Sequence, residues 1–340
     1  MLKKDLGLLV LILVIGTVVA VINPRFLSPT NLVNTANLIG LYGLFSLGVG
    51  LVIITGGIEL SVGSMFALLG VVFLDLLVNL ELHWAPALLF TILAGLALGA
   101  AHGFLVTVMG IQPFIVTLCG LLTYRGAARY YTKDATAGFG YGGDFETLEW
   151  LMAGRTLNVP HTFIAFILVA LVVGVVLHRS VFGRYLFAVG RNEEAARFSG
   201  IRTRAVIAAA YVICGGLAGL SAVFIAMYTR SVSPSSHGNF YELYAIAAAV
   251  LGGCSLRGGE GSVLGIVLGT ILLQMLQNLV NLLGIPSSLN FAVMGTVILV
   301  GVLADQQIAR YRARTLTDRR AARAAAPSPG EAPGAGSLSG

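Results

Sequence analysis

The stretch Leu51–Ser64, LVIITGGIELSVGS, decides the fold. It lies inside a long apolar region, yet it carries adjacent glycines at Gly56 and Gly57, a carboxylate at Glu59 and hydroxyls at Ser61 and Ser64. A helix that only has to span a bilayer would be Leu, Val and Ile throughout. Irregular, polar backbone at membrane depth persists only where protein buries it or where it lines a wet cavity. The stretch therefore reads as a candidate place for something polar to cross.

The surrounding composition supports a membrane setting. The 340 residues are 57% hydrophobic and 11% charged, with a mean hydropathy of +0.89; a soluble domain carries roughly a quarter charged residues. Apolar residues come in runs of about 17–25, the length that crosses roughly 30 Å of hydrocarbon. The fold class is an all-α polytopic membrane protein. A β-barrel would instead alternate apolar and polar residues along its strands. The 43 glycines suit helices whose backbones approach closely. Ten segments are expected, near 7–22, 38–55, 61–79, 86–109, 113–131, 161–178, 205–228, 241–251, 261–283 and 289–305. The eighth is too short to span as a regular helix, so 241–260 is expected to be broken or re-entrant. The N-terminus, MLKKDLGLLVLILVIGTVVAVINP, lacks a small-x-small cleavage site and reads as an uncleaved first helix.

Charge distribution orients these segments. With Lys3 and Lys4 in the cytoplasm, the insertion 179–204 falls inside with Arg179, Arg184, Arg191, Arg197, Arg202 and Arg204. Arg257 also falls inside, as does a tail carrying Arg310, Arg312, Arg314, Arg319, Arg320 and Arg323. Fifteen of the 21 Lys and Arg then lie on the cytoplasmic side, with both termini there. Topology accounts for the net charge of +6 better than nucleic acid does. Residues 1–314 form the transmembrane domain, with 132–160 as an external loop. That loop is either disordered or a docking and gating surface, the latter suggested by Trp150 and its tyrosines. Residues 315–340, rich in Ala, Pro, Gly and Ser, read as a disordered cytoplasmic tail.

Hydrolytic, redox and metal chemistry find no support. Cys119, Cys214 and Cys254 are widely spaced and read as small packing residues. His83 and His161 look interfacial. His102, within a span, suits helix packing better than a proton relay. There is no GxSxG, HExxH or Walker motif. No catalytic residue, metal or cofactor is expected, and any ATP would be used by another subunit.

Two constellations remain. In the inner insertion Asn192 is a plausible N-cap, with Glu193 and Glu194 in the first turn where the helix dipole favours acids. Ala195, Ala196, Phe198 and Ile201 supply an apolar side, and Gly200 a stop. This short amphipathic helix either lies on lipid or docks a cytoplasmic partner; its acids favour the partner. The second constellation is Ala247–Ser262, AAAVLGGCSLRGGEGS, which parallels the opening stretch. Gly56-Gly57 and Gly252-Gly253 each follow an apolar run, and Gly63-Ser64 and Gly261-Ser262 soon follow. A pseudo-repeat lining one pathway and a chance likeness both remain open. Among the acids near membrane depth, Glu242 is placed to cap the eighth segment and Asp75 has no obvious companion. Glu59 is favoured as a structural brace of a broken helix over a direct substrate contact.

The residues that carry these features resemble a known family. TGGIELSVGS closely resembles the T-G-G-I-D-L-S-V-G-S signature of permease subunits of ribose-type ABC sugar importers, the ribose, xylose and galactose branch. Ile111–Leu118 with Arg125-Gly126 resembles that family's P-F-I-x-T-L…R-G block. Ala188–Ala196 through Ser199-Gly200-Ile201 is similar to its cytoplasmic coupling segment, and Tyr241–Leu243 through Gly261-Ser262 to its C-terminal signature. The matches run in order from about 40 to 284. Glu59 stands where the family usually has Asp, and Arg191 where a glycine is common.

The resemblance implies an inner-membrane subunit of a bacterial cell, working as a homo- or heterodimeric pair within membrane lipid. It would receive a sugar from an extracytoplasmic binding protein and be driven by a cytoplasmic ATP-binding subunit. It implies coupling to that ATPase at Gly190, Arg191, Asn192, Glu193, Glu194, Ala195, Ala196, Ser199, Gly200 and Ile201. It implies pathway architecture at Gly56, Gly57, Glu59, Ser61, Gly63 and Ser64, and at Gly252, Gly253, Ser255, Gly258, Gly259, Gly261 and Ser262. Branched-chain amino acid permeases are more distant relatives, which leaves another small polar solute, or a stand-alone secondary transporter, as alternatives.

Overall fold

A computed structural model describes residues 2–139 and 145–286, and beyond them residues 289, 292, 295, 296, 299 and 303. The chain divides into two compact units, Met1–Asn290 and Phe291–Gly340. In the second, residues 292, 295, 296, 299 and 303 are helical, and Thr296 Oγ1 donates to the Ala292 carbonyl at 2.8 Å. Most of the tenth expected segment, and all of the 315–340 tail, lie outside the described residues.

The first unit is built almost wholly from helices, in the order α1 (Leu2–Ile22), α2 (Pro29–Ile54), α3 (Val62–Val78), α4 (Trp84–Thr107), α5 (Pro113–Thr132), α6 (Glu146–Ala153), α7 (His161–Arg179), α8 (Val181–Arg191), α9 (Glu193–Phe198), α10 (Thr203–Thr229), α11 (Tyr241–Leu251) and α12 (Val263–Leu282). Among the described residues six helices are long and apolar enough to cross a membrane: α1, α2, α4, α7, α10 and α12. The chain is a multi-pass, all-α membrane protein. The shorter apolar helices are α3 and α11, and α11 has 11 residues, the broken element that its sequence suggests. Helix α5 is long enough at 20 residues but carries Arg125 and Arg129.

Helix α2 is the buried centre. It starts nine residues before the expected 38, because Ser28 Oγ accepts from Asn31 N at 3.3 Å and Pro29 sits at N1. Polar Asn31, Asn34 and Asn37 masked that first turn in a hydropathy reading. Asn31 and Asn278 exchange reciprocal amide hydrogen bonds at 3.0 and 2.7 Å, which ties α2 to α12. The tightest pairing joins α4 to α10. A Cβ on Gly215 would lie 2.2 Å from the Gly95 carbonyl, and one on Gly99 2.2 Å from the Tyr211 carbonyl. Only glycine permits backbones this close. By contrast α1 is peripheral, laying Ile12 and Val19 on Leu268, Leu272 and Met275 of α12.

The insertion 132–160 is built rather than featureless among its described residues. Helix α6 packs against α10 and α7; β1 (Ala137–Gly138) pairs with β4 (Ser231–Val232), and β2 (Arg155–Thr156) with β3 (Val159–Pro160). Arg230 donates to both Glu149 oxygens at 2.8 and 2.9 Å and lies over the Phe139 ring. A cleft of about 780 Å³ opens between this insertion and the α3–α4 turn, lined by Glu81, Trp84, Phe139, Phe145 and Glu146 among others. His83 caps α4 and His161 bonds to Trp150 and Thr156, both at element ends. At the end of α5 the hydrogen bond from Arg129 holds the Asp134 carboxyl below its usual range.

Three expectations are corrected. Asp75 is not companionless: it accepts from Asn79 Nδ2 one turn on and from the Tyr131 hydroxyl of α5. Cys119 is exposed on α5 rather than packed, whereas Cys214 and Cys254 are buried. The insertion 179–204 holds two helices, α8 and α9, where one was expected. Helix α8 hid because VFGRYLFAVGR follows the sixth run with only His178, Arg179 and Ser180 as polar punctuation, of which Ser180 caps it.

Candidate functional site: the buried break after α2

The break that opens the sequence reading is a seven-residue loop, 55–61, between α2 and α3. Helix α2 ends in a Schellman motif. Gly56 takes φ +83°, its N–H reaches the Ile53 carbonyl, and Gly57 N–H reaches the Val52 carbonyl at 3.1 Å. The chain then turns inward rather than out to water. Glu59, Ser61 and Ser64 are all at most 2% exposed.

A buried carboxylate is costly unless hydrogen bonds answer it. Glu59 Oε1 accepts from the Ser61 backbone N–H and hydroxyl, both at 2.7 Å. It thereby holds the start of α3 from within the loop. Its Oε2 lies 3.0 Å from His102 Nδ1 on α4, and His102 Nε2 lies 2.9 Å from the Tyr124 hydroxyl on α5. A carboxylate accepts, so His102 Nδ1 donates to it, while Nε2 shares a hydrogen bond with the phenol. The Ile58 carbonyl accepts from Thr117 Oγ1 and Tyr211 OH, each at 3.3 Å. Helices α4, α5 and α10 each send a side chain to this one loop.

The brace reading of Glu59 matches this geometry, since both oxygens are engaged inside the protein. The packing reading of His102 is incomplete, because its ring links two polar partners. Sequence reasoning did not reach Tyr124 or Tyr211, and took in Thr117 only as part of the Ile111–Leu118 block. Their signal was weak: polar tips on otherwise apolar spans, far apart in the chain.

A second loop, 233–240, meets this site from the β4 side. Gly238, at φ +75°, presses on the first turn of α3: a Cβ on Gly63 would lie 2.0 Å from the Gly238 carbonyl, and one on Gly238 2.1 Å from the Gly63 carbonyl. Arg125 of α5 donates to the Pro234 and His237 carbonyls at 2.8 and 2.7 Å. His237 Nδ1 accepts from Ser233 N at 2.8 Å. Behind the loop, Tyr241 at the start of α11 packs against Tyr42, Phe45 and Phe66, with ring centroids 4.8–5.8 Å apart. Glu242 lies in the first turn of α11, buried; the N-cap position itself is Phe240.

The other glycine block, 252–262, repeats the helix ending. Gly253 takes φ +92°, its N–H reaches the Val250 carbonyl, and Cys254 N–H reaches the Ala249 carbonyl at 2.9 Å. Ser255 Oγ accepts from Arg257 N, and Ser262 Oγ caps α12 through Gly265 N at 2.8 Å. A Cβ on Gly261 would meet Ile54 and the Cys254 sulfur at 2.8 Å. The two blocks touch: Gly259 N donates to the Ile54 carbonyl at 2.8 Å, and Gly258 abuts Gly56. Gly190 of α8 closes the cluster. A Cβ there would lie 1.8 Å from the Ile54 carbonyl and 2.5 Å from Gly259 N.

From this cluster α8 leads directly to α9. Asn192 Oδ1 accepts from Ala195 N at 2.9 Å, so the N-cap is where the sequence puts it. Gly200, at φ +85°, ends α9, with Ile201 N–H on the Ala196 carbonyl. The expected apolar side is corrected: of Ala195, Ala196, Phe198 and Ile201 only Ala196 is buried, and Phe198 is 80% exposed. Six residues are too short to bury a face, and the Schellman turn packs Ile201 only partly. Arg191, Asn192, Glu193, Glu194 and Ser199 are exposed beside it.

Comparison with known proteins decides the family. A model described as branched-chain amino acid transport system / permease component matches residues 31–302. The chain belongs to this permease family. It is 37% identical over 305 residues to the ribose import permease protein RbsC of Escherichia coli strain K12, covering 90% of this chain and 93% of that one. It is 36% identical to RbsC of Bacillus subtilis strain 168, covering 89% and 91%. It is 32% identical to the D-allose transport system permease protein AlsC of Escherichia coli strain K12, covering 78% and 80%. No solved structure matches the chain. The permease family identifies a transporter component rather than an enzyme.

Proposed function

We propose that this chain is the membrane permease of a binding-protein-dependent ABC importer for a monosaccharide, in the inner membrane of a bacterial cell. The observation that carries the reading is near-full-length similarity to permeases named for ribose import, with further relatives named for fructose and D-allose. These names favour a sugar over the branched-chain amino acid of the family description.

On this reading residues 1–314 form the permease domain, both termini are cytoplasmic, and the ten segments include α3 and α11 as partial spans. The insertion 132–160 faces the extracytoplasmic binding protein. The insertion 179–204 couples to a separate ATPase subunit, and two permease subunits form the pathway. Helix α9 offers the ATPase two carboxylates and an exposed Phe198, a charged rim around an apolar anchor. Motion of α9 passes through α8 to Gly190, and from there to the ends of both glycine blocks. No cofactor is needed in this chain, because ATP is used by the partner subunit.

Glu193 and Glu194 are exposed, so reversing both to Lys leaves the fold intact while opposing the docking contact. In proteoliposomes holding the complete importer, the double variant is expected to hydrolyse ATP without matching sugar uptake. Wild-type coupling in that variant rejects the docking role. Sugar uptake by this chain alone, driven by an ion gradient, would support a secondary transporter instead.

A further inference from the structure

The loop 233–240 has a place in the fold that the family reading does not explain. It leaves β4 beside the middle of α3, where Val232 packs 3.2 Å from a Cβ built on Gly70, and reaches the start of α3 at Gly63. Those seven residues of α3 correspond to a descent of about 10 Å. Its tip does not merely touch α3. Gly63 and Gly238 each exclude a side chain from the other's carbonyl. Its tip thus lies against Gly63, between Ser61 and Ser64 in the chain, and both serines are at most 1% exposed.

A charged side chain facing an apolar span needs a reason. Arg125 lies on α5, twelve residues from its start, and spends its guanidinium on two carbonyls of this loop, Pro234 and His237. Charge-assisted hydrogen bonds of this kind are about twice as strong as neutral ones. Glu242, just beyond the loop, adds electrostatic attraction. The same helix α5 also holds the lower loop, through Thr117 on Ile58 and Tyr124 on His102. At its other end the loop continues into β4, which pairs with β1 of the external insertion, and into Arg230, which is bonded to Glu149 of α6.

We propose that residues 233–240 form a re-entrant plug over the α3 start, that Arg125 is the positioning residue that latches it, and that withdrawal of Gly238 from Gly63 opens the pathway from the outer side. The proposal rests on the importer reading for the identity of the solute, but the latch itself is testable without transport. The β1–β4 pairing gives the external insertion a direct mechanical hold on the plug.

The test uses the full chain in its complete importer, reconstituted in vesicles with the outer face accessible. Ser64→Cys reports access below the plug, in a Cys119→Ser background that removes the exposed native thiol. The probe is a membrane-impermeant maleimide. Removing the latch with Arg125→Gln, or prying the tip with Gly238→Ala, is expected to raise the labelling rate about tenfold or more. Arg125→Lys keeps the charge but not the fork and is expected to fall between. Both opened variants are also expected to leak radiolabelled sugar without ATP. Labelling that stays at the parent rate in Gly238→Ala overturns the plug, and so does an Arg125→Gln protein that is present, labels at the parent rate and does not leak. Should Arg125→Gln fail to accumulate, Gly238→Ala decides alone. Increased labelling with no sugar transport in the parent complex would retain the plug and reject the sugar reading instead.

Discussion

The loops 55–61 and 252–262 begin alike and finish by different physics. Both follow an apolar helix that ends in a Schellman motif with a left-handed glycine, Gly56 in one and Gly253 in the other. Both lead into another membrane helix. The first loop then turns into protein, where water cannot satisfy its polar groups, so it depends on side chains from α4, α5 and α10 and on the carboxylate of Glu59. The second stays near the rim, with Leu256 and Arg257 exposed; beyond the Gly259 N–H on the Ile54 carbonyl and Ser262 Oγ on Asp5, it is satisfied mostly by its own residues, through Ser255 and Ser262. Loops of similar sequence thus differ in whether their partners are near or far in the chain, because depth decides whether water can help.

The strongest way to break the comparison is Glu59→Leu. It strands the Ser61 N–H and His102 in a buried site and is expected to lower stability by about 3 kcal/mol or more, read as thermal unfolding in detergent. Glu59→Gln keeps an acceptor and should cost less; equal losses would refute the brace. Next, Gly190→Ala forces a methyl against the backbone of both loops at once and should cost about 1–3 kcal/mol. That variant should also weaken coupling of ATP hydrolysis to uptake in the reconstituted importer. The shared helix endings predict similar penalties of about 1–2 kcal/mol for Gly56→Ala and Gly253→Ala, and a wide gap between them would show that the two turns are not equivalent. The smallest effect is Ser262→Ala, about 1 kcal/mol from the lost cap of α12. All four sets of stability measurements use the same unfolding assay, which places the two loops on one scale.

Much of the architecture was legible from local sequence. The apolar runs located the spans, Asn192 and Gly200 marked both ends of α9, and the short run at 241–251 announced α11. These signals are carried by the residues that form each element. Helix α8 and the early start of α2 were obscured where hydropathy alone gave no boundary. The exposure of Phe198 was misjudged because an apolar residue on a short helix says nothing about what lies opposite it.

By itself the sequence determined that the chain is a helical membrane protein with two glycine-ended breaks, and that Glu59 needed partners. Only the tertiary structure decided who those partners are. His102, Thr117, Tyr124 and Tyr211 stand 22 to 153 positions from the residues they hold, and Arg125 more than 100 from its loop. Helix periodicity and capping act over a few residues and can be read in order. Satisfaction of a buried polar group is a demand that any helix passing nearby can meet, so the packing alone selects which one does.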